Sequence, residues 1–198
     1  IEGLKHIHDK GFLHRNLTPS NIFYSNLEGQ EVKIGDFQNS ERIDSIEEKV
    51  MPARESPKYE SSRSCSRYTS THLLNALVTD SPAKATVQSD INSLGRIISH
   101  LVTGESPPRY RIVHDEKKGK KVVIGDNVHY ISLVEENEDG KVIKKVPKGI
   151  SKRYDERKKK KLLKNAEKRH RDFLYHCMAE GENGFQNCDE VLDHLPQH

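Results

Sequence analysis

The 198-residue sequence predicts an α+β fold, mainly helical, carrying a charged insert. Three observations lead there. Apolar residues recur at helical spacing over residues 1–10, 89–103 and 162–177. Two short β-type runs, NIFY and EVKI, flank the turn-like stretch NLEGQ. Between residues 105 and 160, charge alternates with short β-type runs and leaves little apolar surface to bury.

In chain order, Leu4, Ile7 and His8 share one face of the first helix, and Gly11 can end it. Residues 12–24 read as a loop leading into the strand NIFY, and EVKI at 31–34 pairs with it. Residues 39–72 are rich in Ser, Arg and Glu without periodicity, which predicts a long mobile loop. In SDINSLGRIISHLVT, Ile91, Leu94, Ile98, Leu101 and Val102 form one helical face. Gly104 stops that helix, and Pro107 and Pro108 prevent its return. KKVVI, HYISLV and KVIKKV predict a hairpin insert over 109–150, the last two runs joined through ENEDG. Leu162, Leu163, Ala166, His170, Phe173, Leu174 and Cys177 then recur at helical spacing, and Cys188, Val191, Leu192 and Leu195 mark a last short helix.

Composition sets the bounds. Hydrophobic residues make up 33% and charged residues 32%, with mean hydropathy -0.84, so only part of the chain can build a core. No apolar run approaches a membrane span and no signal-peptide pattern opens the chain, which predicts a cytoplasmic location. Cys65, Cys177 and Cys188 are not at metal-ligand spacing and read as ordinary thiols. The chain opens on Ile1 inside an amphipathic pattern, as expected for a piece of a longer protein.

The chemistry concentrates in LHRNLTPSNIFYSNLEGQEVKIGDFQ. His14 and Arg15 stand before Asn16, Asn21 follows five residues later, and Asp36-Phe37 follows fifteen after that. Asp90-x-x-Ser93-x-Gly95 lies on the apolar helix. This order resembles the protein kinases, with H-R-D-x-x-x-x-N, then D-F-G, then D-x-W-S-x-G. The resemblance implies a kinase-like C-terminal lobe: residues 1–104 its core with catalytic and activation segments, 105–160 the partly hairpin insert, and 161–198 its C-terminal helices. It implies catalytic-loop roles for His14, Arg15 and Asn16, with Asn16 at the position of the catalytic Asp. It implies cofactor and metal binding at Asn21 and Asp36, whose oxygens suit Mg²⁺ beside ATP. Phe37 and Asp90 become structural anchors, Asp90 holding the backbone of the catalytic loop.

The departures from the pattern matter as much. A neutral amide at Asn16 cannot take a substrate proton as a carboxylate does, and general-base catalysis typically contributes about 10²- to 10⁴-fold. Thr18 replaces a Lys, and Gln38 replaces the Gly of D-F-G. YTSTHLL places His72 at the position of a family Glu, and ENGFQNCDEVL places Phe185 at that of its Arg partner, so a buried ion pair is missing as a pair. No Gly-rich loop, V-A-I-K lysine or helix C glutamate occurs in the 198 residues, so this stretch alone is expected to bind ATP weakly.

These features predict a pseudokinase that retains ATP and Mg²⁺ positions and acts as a signalling or regulatory module. Two alternatives stand beside it. One is a functional Ser/Thr kinase. The other is the regulatory kinase-like region of a sensor endoribonuclease, since FLYHCMAEGENGFQNCDEVLDHLPQH is similar to the end of that region in RNase L-type proteins. The partners expected are other proteins, including a dimer through the full-length kinase-like domain. Eleven Lys or Arg against three acids over residues 152–171 read first as a solvated helix face and second as a patch for nucleic acid, which is not favoured without interleaved aromatics. Ser-rich residues 61–71, with Arg63 and Arg67 nearby, are a candidate phosphorylation segment.

Overall fold

The computed structural model describes residues 1–25, 31–46, 49–50, 62–65, 67–79, 82–107, 110–115, 119–124, 127–129, 135–136, 142–143, 168–179 and 181–196. Helix α1 (Glu2–Asp9) buries Leu4 completely, and Gly11 at φ 79° turns the chain as only glycine does cheaply. Strand β1 (Phe12–Leu13) follows, then a 3-10 turn at Pro19–Asn21. Strand β2 (Ile22–Tyr24) pairs antiparallel with β3 (Val32–Ile34), setting Ile22 opposite Ile34 and Tyr24 opposite Val32. The expected hairpin is therefore present, although Asn21 belongs to the preceding turn. Residues 26–30, the whole of NLEGQ, lie outside the described residues.

The expectation of a loop from 39 to 72 needs correction. Strand β4 (Glu41–Arg42) returns to pair with β1, β5 (Lys49–Val50) pairs with β7 (Pro82–Ala83), and β6 (Ser62–Cys65) joins a larger sheet. Helix α2 (Thr71–Thr79) begins where the loop should end. A two-residue strand has no periodicity to detect, and its pairing comes from partners distant in sequence. Residues 51–61 lie outside the described residues.

Helix α3 (Val87–Thr103) is the central element. Thr86 Oγ1 accepts the Ser89 N–H at 3.2 Å, and Ser89 Oγ accepts the Thr86 N–H at 2.9 Å, closing a capping box. Gly104 ends the helix at φ 69°. Its core contributions are Ile91, Leu94 and Ile97, packed with Leu4, Leu17, Phe173, Leu174, Met178 and Val191. The apolar face read from the sequence runs too far. Leu101 is 77% exposed and Val102 41%, because the apolar stripe continues past the surface that covers it, and Ile97 is buried instead. Helix α4 (Lys168–Met178) packs directly on α3. A Cβ on Gly95 would lie 2.6 Å from the Cys177 Cβ, so this close approach requires glycine. Of the residues expected there, Phe173, Leu174 and Cys177 are buried, while Leu162, Leu163 and Ala166 fall outside the described residues. Helix α5 (Cys188–Asp193), capped by Asn187, buries Cys188 and Val191 but ends before Leu195, which is 40% exposed.

The middle of α3 is buried on its polar side as well. Asn92 Nδ2 donates to the Met178 carbonyl at 2.8 Å. Arg96 donates through Nε to Asn92 Oδ1 at 2.9 Å and through Nη2 to Thr71 Oγ1 at 2.8 Å. Each group is hydrogen-bonded, as burial of a polar side chain demands.

Over the stretch read as an insert, β8 (Tyr110–Asp115), β9 (Gly119–Ile124) and β10 (Asn127–His129) form an antiparallel sheet with β6, in the order β10-β9-β8-β6. KKVVI falls in β9, as expected for a strand. The next hairpin joins β11 (Glu135–Glu136) to β12 (Val142–Ile143), while residues 130–134, most of HYISLV, lie outside the described residues. Residues 152–167 lie outside the described residues. Among the described residues, no helix is long and apolar enough to cross a membrane.

Candidate functional site

The site is built on the loop between β1 and β2 and on the residues that follow β3. Asp90, 2% exposed on α3, supports it from below. Its Oδ2 accepts the His14 N–H at 2.7 Å and its Oδ1 accepts the Arg15 N–H at 2.9 Å. One charged side chain thus fixes two consecutive peptide units, and Arg15 takes φ 65° there. His8 adds a third contact, its Nε2 donating to Asp90 Oδ2 at 3.1 Å, while the Cys188 thiol stands 3.5 Å from His8 Nδ1. Cysteine, histidine and aspartate in that order resemble a nucleophile with its base. Here, however, Cys188 is 3% exposed and burial pushes its thiol up to about 11. The thiolate that would attack is disfavoured, so the trio serves as a brace.

His14 is fully buried. Its Nε2 meets the Gly35 carbonyl at 2.9 Å, which can only accept, so Nε2 carries the hydrogen. Nδ1 then receives the Asn16 N–H at 3.3 Å. The ring also meets Phe37 edge to face, centroids 5.3 Å apart. His14 therefore positions the segment before Asp36. Phe37 is 51% exposed. Arg15 pairs through Nη1 with Glu41 Oε2 on β4.

Asn16, Asn21 and Asp36 gather on one side of this frame. Asn16 Nδ2 donates to Asp36 Oδ2 at 2.8 Å. Asn21 Nδ2 donates to the Asn16 carbonyl at 2.8 Å and to the same Asp36 oxygen at 3.2 Å. Asp36 holds φ 61° and ψ 67°, and Gly35 N–H donates to the Asn21 carbonyl at 2.9 Å. The left-handed conformation falls on Asp36, while Gln38 sits inside the 3-10 turn Phe37–Asn39. A glycine at position 38 is thus not required by this geometry. Among the described residues no three His, Cys, Asp or Glu side chains gather as a metal site. Asn21 and Asp36 still offer oxygens suited to a hard cation.

Phe23 was not singled out from the sequence. It is 57% exposed, and a Cβ on Gly35 would meet its ring at 2.7 Å. Glycine at position 35 thus leaves room for an exposed aromatic ring against the backbone just before Asp36. The signal was available in principle: an aromatic residue in a short strand two positions after Asn21.

Neither position expected to lack an ion-pair partner places a Glu or Arg in the core. His72 Nε2 donates to the Lys84 carbonyl at 3.3 Å, and Phe185 is buried against Phe173 and His194. Thr18, at the Lys position, bonds Ser20 Oγ at 2.8 Å.

Comparison with known proteins adds two findings. A family model described as the protein kinase domain matches residues 1–195. The chain is 51% identical over 37 residues to the eIF-2-alpha kinase GCN2 of Arabidopsis thaliana. It is 57% identical over 37 residues to the probable serine/threonine-protein kinase ifkB of Dictyostelium discoideum. Each match covers 19% of this chain and 3% of the relative.

Proposed function

The chain belongs to the protein kinase domain family, and from that premise we propose that it is the C-terminal lobe of a pseudokinase that keeps a nucleotide site and acts as a regulatory module through other proteins. One observation carries the reading. The side chain at the proton-acceptor position, Asn16, is an amide that donates to Asp36. A group already donating, without a carboxylate charge, is a poor general base. The nucleotide part rests on the surroundings. Asp36 and Asn21 supply oxygen donors of the kind Mg²⁺ accepts, and Mg²⁺ characteristically keeps water and phosphate for its other positions. ATP would bring the phosphates, and Phe23 offers an aromatic face for a base. Bound there, Mg²⁺ would neutralise phosphate charge, while this chain's residues orient the ligands around it.

Two measurements on the intact protein test the reading: phosphate transfer to a generic protein substrate, and the nucleotide-induced rise in Tm. Transfer should be very slow, with Asn16→Asp raising it by up to about 10²-fold. Nucleotide should raise Tm, and Asp36→Ala should diminish that rise. Vigorous transfer by the unmodified protein overturns the reading in favour of a functional Ser/Thr kinase, the activity named for the Dictyostelium relative. Neither transfer nor a rise would leave an interaction role alone.

A further inference from the structure

We infer that Asn16 is a resident competitor for the metal ligand Asp36, so that the site is satisfied without a divalent cation and binds one weakly. The inference rests on the proposed nucleotide site and deepens it by naming how its metal dependence is set. It goes beyond a lost proton acceptor, because it assigns the amide a positive role.

Asp36 Oδ2 receives two amide hydrogens, from Asn16 at 2.8 Å and from Asn21 at 3.2 Å. An oxygen has two lone pairs, so both are engaged, and a cation that coordinates Asp36 through this oxygen, rather than through Oδ1 alone, must displace a donor. The two donors are not equal. Asn21 Nδ2 keeps a second acceptor, the Asn16 carbonyl at 2.8 Å, whereas Asn16 Nδ2 makes the shorter bond to Asp36. Asn21 is already held in place as an oxygen ligand, and Asn16 is the group that must move.

The backbone around Asp36 has little freedom to move it aside. Gly35 is held at both its amide and its carbonyl, by Asn21 and by His14. Displacement therefore falls on the Asn16 side chain. A carboxylate at position 16 would behave in the opposite way. Two carboxylates at this separation cannot both stay ionised without a proton or a cation between them. An Asp there would make the site demand a cation, and the amide removes that demand. A ligand that binds only one of two arrangements shifts the balance by its differential affinity, so the latched arrangement lowers apparent metal affinity.

The test is a Mn²⁺ titration of the intact protein, without nucleotide, followed by bound-metal resonance and by Tm. Asn16→Ala, which deletes the donor and adds no charge, should bind Mn²⁺ about threefold to tenfold tighter, the range of a modest hydrogen bond removed. Asn16→Asp should show a lower metal-free Tm than the unmodified protein and a larger Mn²⁺-dependent rise. Asp36→Ala should abolish tight Mn²⁺ binding in every background. If Asn16→Ala binds Mn²⁺ no tighter than the unmodified protein, Asn16 is not a competitor, whatever becomes of Asn16→Asp. The nucleotide-induced rise in Tm with Mg²⁺ present, measured alongside, judges the proposed function separately. Its absence would remove the nucleotide site while the Mn²⁺ titration still decides the role of Asn16.

Discussion

Arg15 is held at φ 65° by a 2.9 Å hydrogen bond from its backbone N–H to the buried carboxylate of Asp90. A non-glycine residue in that region costs about 1–3 kcal/mol. A charge-assisted bond to a buried carboxylate is of similar size, so Asp90 can offset the strain of the turn it supports. Asp90→Ala removes the acceptor for two backbone amides and the partner of His8. The expected loss is about 3–5 kcal/mol, comparable to breaking a buried charged contact, read from urea unfolding. A loss under about 1 kcal/mol would show that water replaces Asp90 easily.

Gly95→Ala poses a contest between two terms. Alanine in a helix interior is favoured over glycine by about 1 kcal/mol. Against this, the new methyl would sit 2.6 Å from Cys177 Cβ, and overpacking of this kind typically costs about 1–3 kcal/mol. The substitution should therefore destabilise. Cys177→Gly in the same chain should recover part of the loss, so that the two changes are non-additive in a double-mutant cycle.

The buried thiols give the folded state a defined response to alkali. Burial pushes the Cys177 thiol up to about 12 and the Cys188 thiol up to about 11, from an ordinary value of 9.0. Between pH 9 and those values the unfolded chain releases thiol protons that the folded chain retains. Stability from this source is complete below pH 9 and is lost as pH rises toward 11 and 12. Denaturant midpoints at pH 8 and pH 10 should fall in that order. Iodoacetamide at pH 8 should label both cysteines only as fast as the protein opens.

Glu41 and Arg15 tie the strand after Asp36 to the loop beneath it, each with a side chain about a quarter exposed. Partial exposure limits the pair to about 1 kcal/mol. Glu41→Gln should cost no more than that, and the cost should shrink as salt is added. Glu41→Arg sets two cations together and should cost more, with salt now reducing the penalty.

Much of this arrangement was legible in the sequence because it depends on spacing. His14, Asn16, Asn21 and Asp36 come together through a tight loop and a short hairpin, both written locally. Asp90 was legible through the resemblance of Asp90-x-x-Ser93-x-Gly95 to the kinase pattern, which implies an anchor for the catalytic loop. What escaped was set at longer range. Nothing near Leu101 says that the surface covering α3 ends before it, and nothing near Glu41 announces a strand. The direction of Arg15 depends on Glu41, and the exposure of Phe23 depends on the missing side chain at Gly35. Asn16 was legible as an amide at the position of the catalytic Asp, while its bond to Asp36 is a property of two side chains together.

The pairing of β6 with β8 has a consequence for the order in which this chain folds. Helices α2 and α3 lie wholly between those two strands in sequence, so the strands can meet only after a long stretch of chain has been brought back on itself. The entropy of that closure is smaller once the intervening helices are packed, because the ends then hang from a fixed frame. The helical core should assemble early and the sheet last, and on unfolding the sheet should part before the helices do.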